Sequence, residues 1–197
     1  MSHYYTTDDT PHEFKEINYN INGKSYRFTT DRGVFSKDRV DFGTDLLLNA
    51  VLQDYKGPGY FIDMGAGYGP ISVTLADHYD GDGIAVEVNE DAMSVLDENM
   101  RKNAVNFDIV NRETYDEMEL KTDLYVTNPP FRVGKDTVLS ILDDSYNRLI
   151  ENGAFYMVVQ KKQGMPSYLK RLETLYGNVE KLKKSKGYYI LKSIKTN

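Results

Sequence analysis

The chain has 197 residues, of which 40% are apolar and 27% are charged, a composition typical of one folded domain rather than of a disordered chain. The absence of cysteine excludes disulfides, thiol catalysis and cysteine-bound metals. The three histidines are too scattered for a histidine metal site, and no apolar stretch is long enough to span a membrane. We expect no secretory signal, no membrane segment, no metal and a cytoplasmic location.

The formal net charge of −6 hides an uneven distribution. Residues 161–197 carry ten basic and two acidic side chains, whereas residues 1–160 are strongly acidic. Such asymmetry is typical of either a solvated basic surface or an edge that faces nucleic acid. Because the chain is acidic as a whole, we expect any contact with RNA to be local.

We expect one domain over residues 1–197, made of three parts. Residues 1–12 are polar and are predicted to be loose. Residues 13–58 are predicted to form a hairpin and a helix. Alternating runs at 17–21 and 25–28 flank Asn22-Gly23, which is typical of a hairpin turn, and Thr44 is a candidate cap for a helix that runs through Leu52. Residues 59–197 form the predicted core.

From residue 60 onward, predicted strands alternate with predicted helices. The predicted strands are 60–64, 84–88, 107–110, 124–127, 154–159, 179–184 and 188–194. Four helices are predicted: one that starts at Pro70, one that Asn89 caps, one with apolar residues between 138 and 150, and one over 167–176. The chain between 110 and 124 is predicted to be irregular. This pattern predicts a doubly wound α/β fold with a mostly parallel seven-stranded sheet. The last two strands, joined by a short turn, are expected to be antiparallel.

Ligands of open parallel sheets bind beyond the carboxyl ends of the strands, and three polar motifs fall there. The first is a glycine loop between the first core strand and a helix, preceded by Asp63. Its residues are Gly65, Ala66, Gly67, Tyr68 and Gly69. Glycines let the backbone approach a ligand closely, and a helix start attracts anions. A dinucleotide fingerprint needs a further glycine where Pro70 stands, which disfavours an oxidoreductase. A tight turn without a ligand is the alternative.

The second motif is Glu87, which ends the second core strand 20 residues after Gly67 and is followed by Val88. An acid at this position can accept hydrogen bonds from both ribose hydroxyls of a nucleoside cofactor. The alternative interpretation is an acid that stabilises the N-terminus of the next helix.

The third motif comprises Asn128, Pro129, Pro130 and Phe131, directly after the fourth core strand. Two prolines take the chain out of the sheet and hold Asn128 in an extended conformation. The Asn128 oxygen and a neighbouring backbone carbonyl can accept from a planar exocyclic amine, and Phe131 can stack on a base. A rigid turn with a buried phenylalanine is the alternative.

Together these residues resemble a class I S-adenosylmethionine-dependent N-methyltransferase with a Rossmann-like fold. Segment 33–44 is similar to the corresponding segment of the ribosomal RNA small subunit methyltransferase C family, and 131–135 and 158–164 fit the same pattern. The resemblance covers residues 12–195. The larger family members carry an additional N-terminal domain, so this chain resembles a stand-alone catalytic domain.

The resemblance implies transfer of methyl to the exocyclic N2 of a guanine in small-subunit ribosomal RNA, with S-adenosylhomocysteine as the product. It implies that Asp63, the glycine loop, Glu87 and Val88 bind the donor and that the Asn128 motif is catalytic and also meets the donor. The family has an acid after the third core strand, where this chain has Asn111; Asn111 or Glu113 is the candidate for contacting adenine. Candidate substrate-binding residues are Phe35, Phe131, Arg132, Lys135 and Lys161.

Two other functions remain open from the sequence. Related loops with asparagine and two prolines occur in methyltransferases that act on adenine N6 or on a protein glutamine. A donor-binding RNA chaperone without catalysis is the second alternative. The expected partner is ribosomal RNA or the small ribosomal subunit, and the sequence gives no oligomeric state.

Overall fold

The computed structural model of the chain describes residues 11–32 and 38–197. In this part of the chain, seven strands form one mixed sheet and two form a separate hairpin. The strands are β1 Lys15–Ile21, β2 Lys24–Thr30, β3 Phe61–Met64, β4 Gly83–Val86, β5 Asp108–Val110, β6 Thr122–Thr127, β7 Leu149–Gln160, β8 Glu180–Ser185 and β9 Tyr188–Ile194. The helices are α1 Phe42–Asp54, α2 Pro70–Tyr79, α3 Glu90–Lys102, α4 Arg112–Glu117, α5 Lys135–Arg148 and α6 Met165–Tyr176. Short 3-10 turns cover Phe131–Val133 and Lys161–Gln163.

The seven-stranded sheet has the order β5-β4-β3-β6-β7-β9-β8. Strands β3 to β7 are parallel, whereas β9 is antiparallel to both β7 and β8. The order in which strands are added to the sheet reverses between β3 and β6. Ligands of such sheets bind at this switch point, beyond the carboxyl ends of the strands. The predicted doubly wound, mostly parallel sheet, its antiparallel C-terminal strand and the N-terminal hairpin are confirmed.

Helices cover both faces of the sheet and create two hydrophobic cores. On one face, α1, α2, α3 and the hairpin bury side chains such as Phe28 and Leu47. On the other face, α4, α5 and α6 bury side chains such as Tyr115 and Leu172. The central strands are therefore buried on both faces and hold the site rigidly at their ends. Every helix in the described ranges is too short or too polar to cross a bilayer.

The hairpin packs against α3 through one buried amide. Its turn is at Asn22 and Gly23, whose φ values of 51° and 76° fit the turn predicted from this pair. Asn99 of α3 accepts from the Thr29 backbone N–H (2.7 Å) and donates to the carbonyls of Thr29 (2.9 Å) and Tyr68 (2.7 Å). The amide therefore joins the hairpin to the glycine loop that follows β3.

The start of α1 differs from the prediction. Asp41 caps the helix, and its carboxylate accepts from the Thr44 backbone N–H at 3.4 Å. The prediction that Thr44 is the cap was therefore wrong: the helix begins at Phe42, so Thr44 already lies in its first turn, and Asp41 is the residue that caps it. This leaves the Thr44 hydroxyl, in the first turn of α1, available to a partner outside the helix.

Two segments in the second half of the core also differ. Leu149 and Ile150 belong to β7 rather than to the preceding helix, because Leu149 pairs with Thr122 of β6. The polar chain after β5 contains α4, which Asn111 caps by accepting from the Thr114 N–H at 2.7 Å. In both cases tertiary pairing or a local cap outweighs the pattern of apolar residues.

Candidate active site

Five parallel strands end at one edge of the sheet, and a predicted site residue follows each of them. Four strands end at the same level, at the paired residues Met64, Val86, Val110 and Thr127. Strand β7 passes this level at Met157 and continues three residues further to Gln160. The residues that follow are Gly65 after β3, Glu87 after β4, Asn111 after β5, Asn128 after β6 and Lys161 after β7. The structure therefore gathers these five predicted residues along a single edge.

The backbone of the glycine loop is held by the neighbouring strand. The N–H groups of Gly65 and Ala66 both donate to the Val86 carbonyl, at 2.9 and 3.0 Å. Gly67 has a φ of 59°, and no atom lies within 4 Å of the position that a Cβ would take there. Gly69 has a φ of 105°, but a Cβ there would lie 2.6 Å from the Leu96 side chain. Gly69 therefore serves close packing, whereas Gly67 leaves open space above the loop for a ligand.

Glu87 fixes the loop with its carboxylate. One oxygen accepts from the Gly67 N–H at 2.9 Å and the other accepts from the Asn89 N–H at 2.8 Å. Each carboxylate oxygen has a further lone pair, so Glu87 can still accept from a ribose hydroxyl. Val88 beside it is 51% exposed and offers an apolar surface at the same edge.

Asp63 is fully buried at the end of β3. The Ser72 hydroxyl of α2 donates to its Oδ2 at 2.6 Å, which connects the end of β3 to the helix. Its Oδ1 has no hydrogen-bond partner among the described residues. Burial raises the pKa of this carboxyl to about 7. An unpaired acceptor at this depth suits a water molecule or a cationic group of a ligand.

The asparagine-proline-proline motif lies against the glycine loop, since the Pro130 side chain is 4.0 Å from where a Cβ on Gly65 would stand. Asn128 is half-buried, and its Nδ2 donates to the Thr44 hydroxyl of α1 at 2.9 Å. Its Oδ1 is therefore the part of the amide that remains to accept from a ligand. The Pro129 carbonyl accepts from the Phe131 N–H at 2.9 Å and retains a second lone pair.

Phe131 lies between the interior and the surface. Its half-buried ring has its centre 5.9 Å from that of Tyr168 on α6. Beyond it, Arg132 and Lys135 are exposed, and Val133 is 65% exposed. One side of this loop is thus supported by α6, while its tip offers apolar and cationic groups at the surface.

Some predicted residues have side-chain groups that are already engaged within the protein. The Tyr68 ring is buried against Phe28 of the hairpin, with centres 5.7 Å apart, so Tyr68 can offer a ligand only its backbone. The Asn111 oxygen is engaged in capping α4, which leaves its Nδ2 as the free group. Phe35 lies outside the described residues. In residues 11–32 and 38–197, no three acidic or histidine side chains converge as a metal site would require.

Thr44 is the residue at this edge that the sequence did not assign to the site. It is 84 residues from Asn128 along the chain, and no local motif connects them. Its sequence signal pointed to a helix cap instead.

Comparisons with known proteins agree with this geometry. The model of the methyltransferase small domain family matches residues 25–192. The chain belongs to the methyltransferase small domain family. YbxB, an uncharacterized protein of Bacillus subtilis, is 36% identical over 98% of both chains.

Two further relatives of this methyltransferase family carry functional names. Ribosomal RNA small subunit methyltransferase C of Alcanivorax borkumensis is 31% identical over 75% of this chain and 46% of its own length. The structure of the T. thermophilus 16S rRNA N2 G1207 methyltransferase, in complex with AdoMet and guanosine, matches with a TM-score of 0.84 and 28% identity. That match covers 94% of this chain and 51% of the other.

The chain therefore spans about half the length of these two named relatives. Its fold, its edge of polar motifs and its family identify it as a class I S-adenosylmethionine-dependent methyltransferase of the ribosomal RNA small subunit methyltransferase C type. The resemblance predicted from the sequence is confirmed.

Proposed function

We propose that this enzyme transfers methyl from S-adenosylmethionine to the exocyclic N2 of a guanine in small-subunit ribosomal RNA. The observation that carries the proposal is the Asn128 amide, whose oxygen is left free beside the glycine loop by the hydrogen bond to Thr44. The T. thermophilus relative, named as a 16S rRNA N2 G1207 methyltransferase and solved with AdoMet and guanosine, supports guanine as the acceptor.

The donor would lie over the glycine loop. The open space at Gly67, the remaining lone pairs of Glu87 and the exposed Val88 fit a nucleoside with a flat aromatic base and a ribose. When bound, S-adenosylmethionine supplies an electrophilic methyl group on a sulfonium. We assign Glu87 to the ribose hydroxyls, Val88 to the adenine and the free Asn111 amide to the adenine edge.

The acceptor nitrogen would be oriented by the loop after β6. Asn128 Oδ1 and the Pro129 carbonyl accept its two hydrogens, which directs the nitrogen lone pair toward the donor. A nitrogen–carbon bond forms as the carbon–sulfur bond breaks, the electron pair stays on sulfur, and the nitrogen loses one proton to water. Catalysis in this account is mainly positioning, so no strong general base is required.

The guanine has to leave its stack before it can reach Asn128. Single-stranded or splayed RNA bases are recognised by stacking on aromatic rings. We assign this role to Phe131, which Tyr168 supports from the side of the protein. The methyl acceptor would then lie between a fixed ring and a fixed amide.

Exposed lysines beyond β7 supply the local basic surface that RNA requires. The Lys161 N–H donates to the Gly187 carbonyl at 3.3 Å, which places this residue beside the β8–β9 turn. The Lys186 amine lies 4.9 Å from the ring centre of Phe42 at the start of α1. A hydrogen bond from Lys184 lowers the pKa of Tyr189. None of these three lysines forms an ion pair within the described ranges, so each can meet a phosphate.

Charge reversal tests this surface. Lys161→Glu combined with Lys186→Glu should weaken RNA binding and reduce the slope of log Kd against log salt by about 1 to 2. The matched control reverses Lys56 and Lys121, which lie at the opposite edge of the sheet, near the starts of β3 and β6. Equal losses in both double variants would point to non-specific attraction and would contradict a phosphate-binding role for Lys161 and Lys186.

The acceptor is tested by product analysis. The protein is incubated with S-adenosylmethionine carrying a labelled methyl and with ribosomal RNA or small subunits from cells that lack it, and the digested nucleosides are separated. Labelled N2-methylguanosine is the expected product. Labelled N6-methyladenosine would show that adenine is the acceptor, and labelled protein would show that it is a protein side chain; either result would contradict the proposal. Donor binding without any transfer would indicate a chaperone. The same assay on separated cell fractions tests the proposed location of the substrate, and the methyl-accepting RNA should be in the cytoplasmic fraction.

A further inference from the structure

The first turn of α1 reaches the loop after β6 through a single side chain. Thr44 is only 5% exposed, and its hydroxyl accepts the hydrogen bond from Asn128 Nδ2 at 2.9 Å. Since Asp41 caps the helix and accepts from the Thr44 backbone N–H, the Thr44 hydroxyl is not needed for capping. A buried hydroxyl that caps nothing and meets the proposed catalytic amide calls for a role in the site.

The start of α1 is itself held firmly in place. A Cβ on Gly43 would lie 3.0 Å from the Tyr188 ring of β9, so the helix packs as closely on the sheet as a glycine permits. Phe42 adds a second contact, with its ring centre 5.3 Å from that of Tyr188. Thr44 is therefore anchored to the rigid sheet rather than to a loop.

An asparagine amide has two ends of similar shape and opposite hydrogen-bonding character. Only the oxygen end can accept a hydrogen bond from an exocyclic amine, whereas the NH2 end would place one hydrogen-bond donor against another. When Asn128 Nδ2 donates to Thr44, the amide oxygen is the end left for the acceptor. A displacement of about 1 Å at such a group can reduce a rate by about a hundredfold.

We propose that Thr44 is a positioning residue that holds the Asn128 side chain with its oxygen toward the acceptor nitrogen. This inference rests on the proposed role of Asn128 in methyl transfer. It assigns the start of α1, which precedes the three recognisable motifs in the sequence, to the catalytic geometry.

The chain offers a closely matched set of variants for this proposal. Thr44→Val removes the hydroxyl and keeps the shape, while Thr44→Ser keeps the hydroxyl. Thr74→Val is the control, because Thr74 is also a buried helical threonine and its hydroxyl has no partner among the described residues. Single-turnover methyl transfer is measured for each variant together with Kd for the donor and for RNA.

Thr44→Val should reduce the single-turnover rate by at least tenfold with both Kd values within about twofold of wild type. Thr44→Ser should retain the rate within about threefold, and Thr74→Val should match wild type. A Thr44→Val rate equal to wild type would overturn the proposal. Equal losses in Thr44→Val and Thr44→Ser would also overturn it, since they would mean that Thr44 acts through packing alone.

A second measurement does not depend on activity. The side-chain amide protons of Asn128, assigned in an NMR spectrum by their absence in Asn128→Ala, should exchange slowly in wild type and in Thr44→Ser. They should exchange at least tenfold faster in Thr44→Val. If wild type methylates another acceptor while this pattern holds, only the proposed substrate fails. If exchange is identical in Thr44→Val and wild type, the contact itself fails.

Discussion

Replacing Asp63 with asparagine tests how the end of β3 is built. Asp63 is fully buried, accepts from the Ser72 hydroxyl at 2.6 Å and has its other oxygen unpaired among the described residues. Burial raises the pKa of its carboxyl from 3.8 to about 7. The folded state therefore favours the protonated form, and an asparagine of the same shape imitates that form at every pH.

The sign of the effect follows from the raised pKa. Below pH 4 the carboxyl is protonated in both the folded and the unfolded state, so its burial does not lower the unfolding free energy through titration. Between pH 4 and 7 the unfolded chain loses this proton while the folded chain retains it, so stability falls by about 1.4 kcal/mol per pH unit. Between pH 5 and pH 8 the loss from Asp63 amounts to about 3 kcal/mol.

The assay is urea unfolding of wild type and Asp63→Asn, followed by circular dichroism at pH 5, 6, 7 and 8. Other titrating groups contribute equally to both proteins, so the difference in unfolding free energy isolates Asp63. Relative to wild type, Asp63→Asn should gain about 3 kcal/mol in unfolding free energy from pH 5 to pH 8. A difference that is constant across this range would refute the reasoning.

Two further predictions concern the glycine loop and its support. Asn99→Ala leaves two backbone groups of Thr29 and one carbonyl of the loop unpaired in the interior, and should lower the unfolding free energy by about 4 kcal/mol. Asn103→Ala, whose bonds to the same strand are exposed, should cost much less; equal costs would contradict this prediction. Gly67→Ala should weaken donor binding at least tenfold in calorimetry while costing about 1 kcal/mol of stability, because its φ is positive and the space above it is open. Gly69→Ala should mainly lower the unfolding temperature, because its Cβ would collide with a neighbouring side chain; an unchanged unfolding temperature would argue against that collision.

Features with a local cause could be predicted from the sequence. The Asn22-Gly23 turn and the Asn89 cap depend on residues next to one another, and the structure contains both. The placement of Glu87 and Asn128 at one edge follows from the general rule that parallel strands end together.

Features with a distant cause could not be predicted. The Asn128 amide is held by Thr44, which is 84 residues away, and the packing of α1 on the sheet brings the two together. Leu149 continues a helical pattern but is taken into β7 by pairing with Thr122. Tyr68 lies within a predicted binding motif, yet the hairpin covers its ring. In each case the deciding partner comes from another part of the chain.

The most direct test of the account is single-turnover methyl transfer by Asn128→Ala, measured together with donor affinity. The account predicts at least a hundredfold loss of rate with an unchanged donor Kd, because the amide orients the acceptor and does not hold the donor in place. A variant that methylates guanine as fast as wild type would contradict the central claim that this amide directs the attacking nitrogen.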